Sequence, residues 1–346
     1  MFFKNANFRD LSGNTNLKKS KMILFRDSHY IVVKYGYKIM SSVGKNNLIG
    51  SLEILLTGII WGFIGYFVKE LYAEGATPAL AAFFRVFFAF VFAVIFALFL
   101  YGPKGFILTR EQFIWCLLDG VITQGLFNYS YSICVEKTGV AIAAVLLYTS
   151  PVFNAIISYI AFKEKLGFKR NIILVLNMIG SIVAATALDF SFKTISLFGI
   201  LMGLVSGITY GAAPVLGKYA NKNPNLFAVI AYNEFFASLF LLLFTKPLDG
   251  VEPQSGRLLL YGVLYGVLIT GIAYVFYYDG VKRMTEMSII PVIASIEIVV
   301  AAFVGVMIYN EPLNLTNYIG IAIVIISIIA MSLASRKNLK NAKNAI

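Results

Sequence analysis

The chain has 346 residues, of which 59% are hydrophobic and only 13% are charged, and its mean hydropathy is +0.80. A soluble domain is about half apolar and about a quarter charged, so this composition excludes an ordinary soluble protein and predicts an integral membrane protein. The formal net charge is +12. In a soluble chain this charge would suggest nucleic acid, but in a membrane protein the basic residues first report topology.

The first 47 residues differ in composition from the rest. They contain nine Lys or Arg and no apolar run long enough to cross a bilayer. They are predicted to form a disordered cytoplasmic tail, with translation starting at Met40 as an alternative. The only histidine, His29, lies there. The two cysteines, Cys116 and Cys134, show no metal-ligand spacing, so neither a metal site nor a cofactor is expected.

The rest of the chain contains ten apolar segments, and a membrane helix needs about 20 such residues. The predicted spans are 50–69, 78–101, 112–134, 138–162, 171–188, 195–218, 225–245, 257–279, 286–309 and 316–334. The fold class predicted is therefore an all-α integral membrane protein with ten transmembrane helices.

The Lys and Arg residues assign the two sides of the membrane. The two tails and the even-numbered loops hold 23 of the 29, the odd-numbered loops hold five, and Arg85 lies inside a span. Because positive residues accumulate on the cytoplasmic side, both termini are predicted to be cytoplasmic in a plasma (inner) membrane protein. Topology accounts for the positive charge, so nucleic acid is not expected as a partner.

Two segments of the chain repeat each other. GIIWGFIGYFVK (58–69) aligns with GITYGAAPVLGK (207–218) at an offset of 149, which also carries Arg85 onto Glu234. Farther along, the offset is 147, and Tyr131 aligns with Tyr278 and Glu164 with Glu311. Each half has five spans, an odd number, so the halves must cross the membrane in opposite senses. Inverted repeats of this kind are typical of secondary transporters, with the substrate near the midplane.

Longer segments resemble a known family. TGIIWGFIGYFVKE near the start, an Arg in span 2, TSPVFNAIISYIAFKEKLG in span 4 and IEIVVAAFVGVMIYNEPLN in span 9 resemble the drug/metabolite transporter superfamily, EamA-type permeases. The resemblance covers residues 50–334. It implies two five-helix repeats (50–188 and 195–334), with spans 1–4 and 6–9 around a central cavity, spans 5 and 10 outside it, and a basic cytoplasmic tail at 335–346.

The chain departs from this family pattern at one place. The family often has Glu-Pro in span 9, whereas here Glu297 is followed by Ile298. The first half keeps its proline as Pro151. A kink in span 4 is therefore better supported than one in span 9, where Pro291 could bend the helix nearer its start.

Four charged residues lie deep in the spans, where a charge costs about 2.5–3.5 kcal/mol and usually faces a cavity or a partner. Arg85 and Glu234 occupy equivalent places in the two halves, so they are predicted to meet directly or through substrate; a fixed lock between the halves is the alternative. Glu297 is the candidate for proton coupling, with a hydrogen-bonded structural glutamate as the alternative. Asp119 is expected to reach water at the cytoplasmic side.

Uncharged polar side chains add candidates for the cavity wall, and tyrosine faces with a few amides suit a small amphipathic or aromatic solute. Contacts between helices are the alternative for these residues. Together with Arg85 and Glu234, the cavity candidates are Gln124, Asn128, Tyr131, Tyr148, Asn154, Tyr210, Tyr232, Tyr274 and Tyr278. Gly203, Gly207 and Gly211 repeat every four residues and are predicted to serve close helix packing, with Pro151 as a hinge.

The sequence thus predicts a secondary transporter of small organic solutes, with export of amino acids or related metabolites as the leading interpretation. Uptake or exchange of organic amines or drugs, and a lipid-handling protein, remain as alternatives. No enzyme is expected, because no nucleophile with its base, metal cluster or paired carboxylates is present. The expected partners are a small organic solute and the lipid bilayer, with a proton left open, in a monomer or a homodimer.

Overall fold

The computed structural model describes residues 28–187, 196–222, 225–249 and 256–344, which contain helices and no strand. We number the long helices α1 (Ser28–Trp61, continued by Ile64–Ala73), α2 (Pro78–Tyr101), α3 (110–138), α4 (Val140–Phe162), α5 (Phe168–Thr186), α6 (Leu197–Ala220), α7 (Leu226–Thr245), α8 (Gly256–Arg283), α9 (Ile290–Tyr309) and α10 (Leu315–Asn344). The predicted all-α fold of ten helices is confirmed.

In the part of the chain described, nine of these helices are long and apolar enough to cross a membrane by length and composition. The remaining helix is α3, which packs between α6 and α7 and carries more polar side chains along its length. The outer faces of the bundle are apolar, with Phe99 84% exposed and Ile160 65% exposed. Exposed aromatic and aliphatic side chains at this density suit lipid rather than water.

The first helix is longer than the sequence suggested. Helix α1 begins at Ser28, so residues 28–47, which the sequence analysis assigned to the tail, are helical. The segment 28–47 contains no proline, so nothing in it forces the helix to break. Residues 1–27 lie outside the described residues, and there the disordered tail stays a prediction.

Several helix ends follow from local sequence. Thr77 accepts a hydrogen bond from the Leu80 N–H and precedes Pro78, which suits the first turn of α2. Thr109 and Gln112 form a capping box at the start of α3. Helices α4 and α9 both end at a residue in the left-handed conformation, Lys163 (φ 58°) and Asn310 (φ 52°), which occupy equivalent places in the repeats.

The packing of the helices follows a two-fold pattern. Helix α1 packs against α8 and α9, and its counterpart α6 packs against α3 and α4. Helix α2 packs against α7, and α5 against α10. An exchange of the two halves leaves this set of contacts unchanged, as a two-fold relation between the repeats requires. Since each half has five helices, the repeats are inverted.

The repeat gives the bundle two distinct ends. We call the end that holds residues 45–53 of α1 and the last turns of α10 the terminal end; it also holds the turn between α8 and α9. The opposite end holds the equivalent turn between α3 and α4.

Glycines allow the closest contacts in the bundle. A Cβ on Gly207 would lie 2.7 Å from the Leu146 carbonyl oxygen, and one on Gly211 would lie 2.7 Å from the Ser150 carbonyl oxygen. Gly203 lies equally close to Cys134, and Gly58 makes the matching contact between α1 and α9. These distances support a packing role for the glycine face of α6. A role of this face in transport stays a prediction.

Helices α4 and α9 are interrupted at equivalent positions. In α4 the first part ends at Leu147 and the second begins at Ser150, with Pro151 at the start of its first turn. In α9 the interruption falls at Ser295, 147 residues after Tyr148, although no proline follows Glu297. Ser295 donates to the Val292 carbonyl and accepts from Asn177, so a side chain stabilises the break that a proline supports in α4.

Candidate functional site

The centre of the bundle holds a cluster of aromatic rings from both repeats. Trp61 lies with its ring centroid 6.4 Å from Tyr210, 5.9 Å from Tyr274 and 5.5 Å from Tyr277. Phe127 stacks on Tyr210 at 5.3 Å. Four helices (α1, α3, α6 and α8) thus supply one aromatic wall.

The repeat explains how these rings come together. Trp61 and Tyr210 occupy equivalent positions, each followed by a glycine, Gly62 or Gly211. The glycines bring α1 against α9 and α6 against α4. The chain turns directly after Trp61, since the first part of α1 ends there and the helix resumes at Ile64. The indole Nε1 of Trp61 is buried and makes no hydrogen bond in the structure.

Arg85 and Glu234 lie within this region but do not pair. The Arg85 Nε donates to the Thr270 hydroxyl at 3.0 Å, and its guanidinium interacts with Tyr265. Both oxygens of the fully buried Glu234 carboxylate lack a hydrogen-bond partner. Among the ion pairs of the described residues, none joins these two side chains. The predicted direct pair is therefore not formed, and contact through a substrate stays a prediction.

Glu297 lies on the other side of the aromatic rings. It is half-buried and interacts with the Tyr210 side chain. Tyr131 and Tyr148, both partly exposed, lie within electrostatic reach of its carboxylate. A carboxylate that lies among helices and is only partly buried is suited to exchange a proton or bind a cation.

Asp119 has a different environment. It is 1% exposed, so the expectation that it reaches water is not met in this structure. Its carboxylate accepts hydrogen bonds from Tyr278 at 2.8 Å, Asn233 at 3.0 Å and Thr123 at 3.0 Å. Asn233 also donates to the Tyr278 hydroxyl at 2.6 Å. The network joins α3, α7 and α8 near the terminal end, so Tyr278 lies in a structural network rather than only on the cavity wall.

Other candidates from the sequence contact neighbouring helices or their own backbone. The Asn154 amide donates to the Gly211 carbonyl at 2.8 Å and ties α4 to α6. Tyr232 donates to the Phe106 carbonyl in the short turn Pro103–Phe106 before α3. The Asn128 amide donates to the Gln124 carbonyl of its own helix. The buried Gln124 side chain lies beside Tyr274, with its oxygen unpaired in the structure.

The sequence analysis missed the rings of Trp61 and Phe127 as members of this cluster. The GIIWG and GITYG repeats contain the signal for Trp61, because Tyr210, already a candidate, is its equivalent.

It also missed two π-helical turns, Gly120–Leu126 in α3 and Tyr265–Ile272 in α8. Each contains two glycines five residues apart, the spacing of a π turn, and such turns often mark functional sites.

Their glycines bring α3 and α8 close to α7 and α2. A Cβ on Gly120 would collide with the Asn233 carbonyl oxygen, and one on Gly266 with Phe88. The π turns therefore set the distances between the helices that carry Asp119, Glu234 and Arg85.

The site offers two carboxylates, one guanidinium and several aromatic faces in a largely apolar enclosure. No three His, Cys, Asp or Glu side chains of the described residues are grouped as a metal site would need. The arrangement is suited to recognition of a small solute with charged groups rather than to bond chemistry, because mostly apolar pockets with a few convergent polar groups are typical of ligand sites.

Comparisons with known proteins agree with this architecture. The model of the EamA-like transporter family matches residues 48–186 and 197–333. An uncharacterized transporter of Archaeoglobus fulgidus is 28% identical over 81% of this chain and 95% of its own length. The uncharacterized inner membrane transporter YicL of Salmonella typhimurium is 21% identical over 85% of this chain and 98% of its own.

One solved crystal structure shares the fold with a TM-score of 0.70 at 16% identity, and the match covers 85% of this chain and 98% of that one. At this level of identity the likeness concerns the fold alone. The family model matches twice, once for each five-helix repeat, over most of the chain. The chain therefore belongs to the EamA-like transporter family and is a multi-pass membrane transporter.

Proposed function

We propose that the protein is a secondary transporter that moves amino acids or related small metabolites out of the cell by alternating access. The observation that carries the proposal is the pair Arg85 and Glu234, which come from equivalent positions in opposite repeats and make no direct ion pair. An amino acid has one carboxylate and one ammonium group. A guanidinium and a separate carboxylate in one enclosure are complementary to both.

The aromatic wall supports the same class of solute. Trp61 and Tyr210 present ring faces beside the charged groups, and ring faces attract ammonium groups as well as apolar side chains. Amphipathic amino acids and related metabolites combine these features. The buried indole N–H of Trp61, which makes no hydrogen bond in the structure, is an additional donor for a carboxylate or carbonyl.

Glu297 is proposed to couple transport to protons. Its carboxylate is half-buried beside Tyr210 and belongs to α9, whose interruption at Ser295 lies two residues away. Protonation there would change the charge facing the cavity at the point where the helix is already broken. A bound proton on one side of the membrane and its release on the other would supply the driving force for accumulation.

The proposed topology assigns the open end of the bundle to the outside of the cell. The terminal end carries most of the Lys and Arg residues, which supports a cytoplasmic location for it and for both termini. The partly exposed Glu297, Tyr131 and Tyr148 are then proposed to belong to a cavity open toward the outside. An exporter releases its solute from this state and an importer binds it there, so the proposal of export rests on the sequence interpretation.

A second candidate is uptake or exchange of organic amines or drugs. Two carboxylates beside aromatic faces favour a cation, particularly where Arg85 is held by Thr270 and Tyr265. A lipid-handling protein is a third candidate, to be considered if no water-soluble solute moves.

Counterflow in proteoliposomes tests the proposal. Labelled neutral, aromatic and basic amino acids and organic amines would be compared, with and without a pH gradient, for the native protein and Glu297→Gln. We expect saturable counterflow of an amino acid, and we expect the variant to keep counterflow but lose accumulation driven by the gradient. Glu136→Gln is the matched control, because Glu136 is exposed and pairs only with the neighbouring Lys137.

Two outcomes would contradict the proposal. Counterflow of amines alone would favour the second candidate. If no solute moved although the protein was folded and correctly inserted, the amino-acid interpretation would be wrong and lipid cargo would be tested next.

A further inference from the structure

The two equivalent turns of the repeats have very different surroundings. Met287, after the turn between α8 and α9, is 1% exposed, whereas its counterpart 147 residues earlier, Val140, is 66% exposed. The turn at the terminal end is buried between helices, whereas at the opposite end Thr138 packs against Gly199 of α6 but Gly139 and Val140 are exposed. The structure therefore holds the terminal end closed and the opposite end open.

Two charged side chains hold the closed turn from its two sides. The Lys218 ammonium donates to the carbonyls of Val281, Lys282 and Met284 at 2.8, 2.9 and 2.5 Å, at the end of α8. The Glu164 carboxylate accepts from the N–H groups of Met287 and Ser288 at 2.8 and 3.0 Å, in the turn just before α9. A cation at a helix C-terminus and an anion at a helix N-terminus are the favourable signs for the helix dipole.

The counterparts of these two residues behave differently. Lys69 aligns with Lys218 and Glu311 with Glu164, but Lys69 and Glu311 form an ion pair with each other instead of binding the turn between α3 and α4. Both side chains are about half exposed. The first turn of α4 has no side-chain cap, and Gly139 before it adopts φ 87°.

We propose that Lys69 and Glu311 are the second clamp of an alternating pair. When the opposite end closes, Lys69 binds the last carbonyls of α3 and Glu311 binds the first N–H groups of α4, and their mutual ion pair is lost. At the terminal end Lys218 and Glu164 then release the turn between α8 and α9 and pair with each other. The inverted repeat makes this exchange possible, because each half can take up the conformation that the other half has left.

The inference goes beyond the proposed function, because it concerns the motion and holds for any solute. It assigns no role to Arg85, Glu234 or Glu297. The two clamps compete, so removal of one should favour the state held by the other.

The test uses cysteine labelling, which needs no solute. Cys116 and Cys134, both buried, are first replaced by alanine, and single reporters are introduced as Met287→Cys or Val140→Cys. Labelling rates are measured in membranes with a small maleimide. In the starting protein we expect fast labelling at 140 and slow labelling at 287.

Removal of the closed clamp should shift this balance. In Lys218→Met, which loses three charge-assisted hydrogen bonds, we expect labelling at 287 to rise by about tenfold or more and labelling at 140 to fall. Addition of Lys69→Met should reverse most of this change, because it weakens the state that Lys218→Met favours. If Lys218→Met does not fold, Glu164→Gln takes its place, and Glu311→Gln then takes the place of Lys69→Met.

Lys137→Met is the matched control for Lys69→Met. Lys137 lies at the same end, is 47% exposed compared with 49% for Lys69, and also forms an ion pair. We expect it to leave the Lys218→Met pattern unchanged. The proposal is wrong if Lys218→Met and Glu164→Gln leave both labelling rates unchanged, or if Lys69→Met and Lys137→Met act alike in the double variants.

Discussion

Asp119 and Glu234 are two carboxylates buried in the same bundle, yet their surroundings are opposite. Asp119 accepts hydrogen bonds from three side chains on three helices. Glu234, one residue after Asn233 in the Asp119 network, has no hydrogen-bond partner for either oxygen. One helix, α7, therefore carries at adjacent positions a side chain that satisfies a buried carboxylate and a buried carboxylate that no side chain satisfies.

The difference indicates which acid belongs to the structure and which to a ligand. A buried polar group without a partner costs free energy, so it persists where function requires it. Asp119 is satisfied by the protein itself and stabilises the closed terminal end. Under the proposed function, a solute or a proton satisfies Glu234, and the following experiments separate the two roles.

The largest effect is expected from Glu234→Gln. The amide removes the buried negative charge that interacts electrostatically with Arg85, and loss of this charge from the proposed site should reduce counterflow on the order of 100-fold. Thermal unfolding in detergent should be unchanged or shifted to higher temperature, because the substitution breaks no hydrogen bond of the protein. Unaltered counterflow would remove Glu234 from the site.

Asp119→Ala should show the reverse pattern. It leaves Tyr278, Asn233 and Thr123 without their acceptor inside the bundle, and we expect a loss of about 3 kcal/mol in the free energy of unfolding. Asp119→Asn keeps one acceptor oxygen and should cost about 1 kcal/mol. Denaturant unfolding followed by tryptophan fluorescence measures both, and equal stability of all three proteins would contradict a structural role.

The two equivalent tyrosines sharpen the comparison further. Tyr278→Phe removes one hydrogen bond to Asp119 and should cost about 1 kcal/mol of stability. Tyr131→Phe, at the partly exposed counterpart beside Glu297, should leave stability unchanged and alter the solute concentration needed for half-maximal counterflow. Equal stability losses in the two variants would mean that both hydroxyls are structural.

The smallest effect is expected at the surface of the terminal end. Glu111 lies just before the predicted span 112–134. A hydrogen bond from Lys222 and the charge of Lys222 lower the pKa of the Glu111 carboxyl. A lowered carboxyl pKa adds stability above the unfolded value of 4.5, and this stability is lost as the pH falls through the folded value. Lys222→Ala should therefore lower the melting temperature only slightly at pH 7. The difference in melting temperature from the native protein should vanish in acid. A difference that persists in acid would mean that the substitution removes packing and not a charge interaction.

The sequence by itself determined the membrane class, the repeat and the family. Apolar segments of about 20 residues have few alternatives to membrane helices. The repeated segments GIIWG and GITYG aligned the halves, and an odd number of helices in each made them inverted. Arg85, Glu234 and Glu297 could be selected as candidates for the site because a charged residue inside a membrane span is costly and usually faces a cavity or a partner.

Only the tertiary structure decided which polar groups satisfy one another. Asp119 and Tyr278 are 159 residues apart, and their contact depends on the packing of α3 against α7 and α8. The break in α9 at Ser295 depends likewise on Asn177 of α5 rather than on a proline.

The difference between the two ends was also beyond the sequence. Lys69 and Lys218 align, as do Glu164 and Glu311, so a single chain encodes the same residues for both ends. In the conformation described, Lys218 and Glu164 bind their turn, whereas Lys69 and Glu311 pair with each other. This difference is a property of the conformation and not of the sequence. An inverted repeat specifies two equivalent arrangements, and the three-dimensional packing adopts one of them at a time.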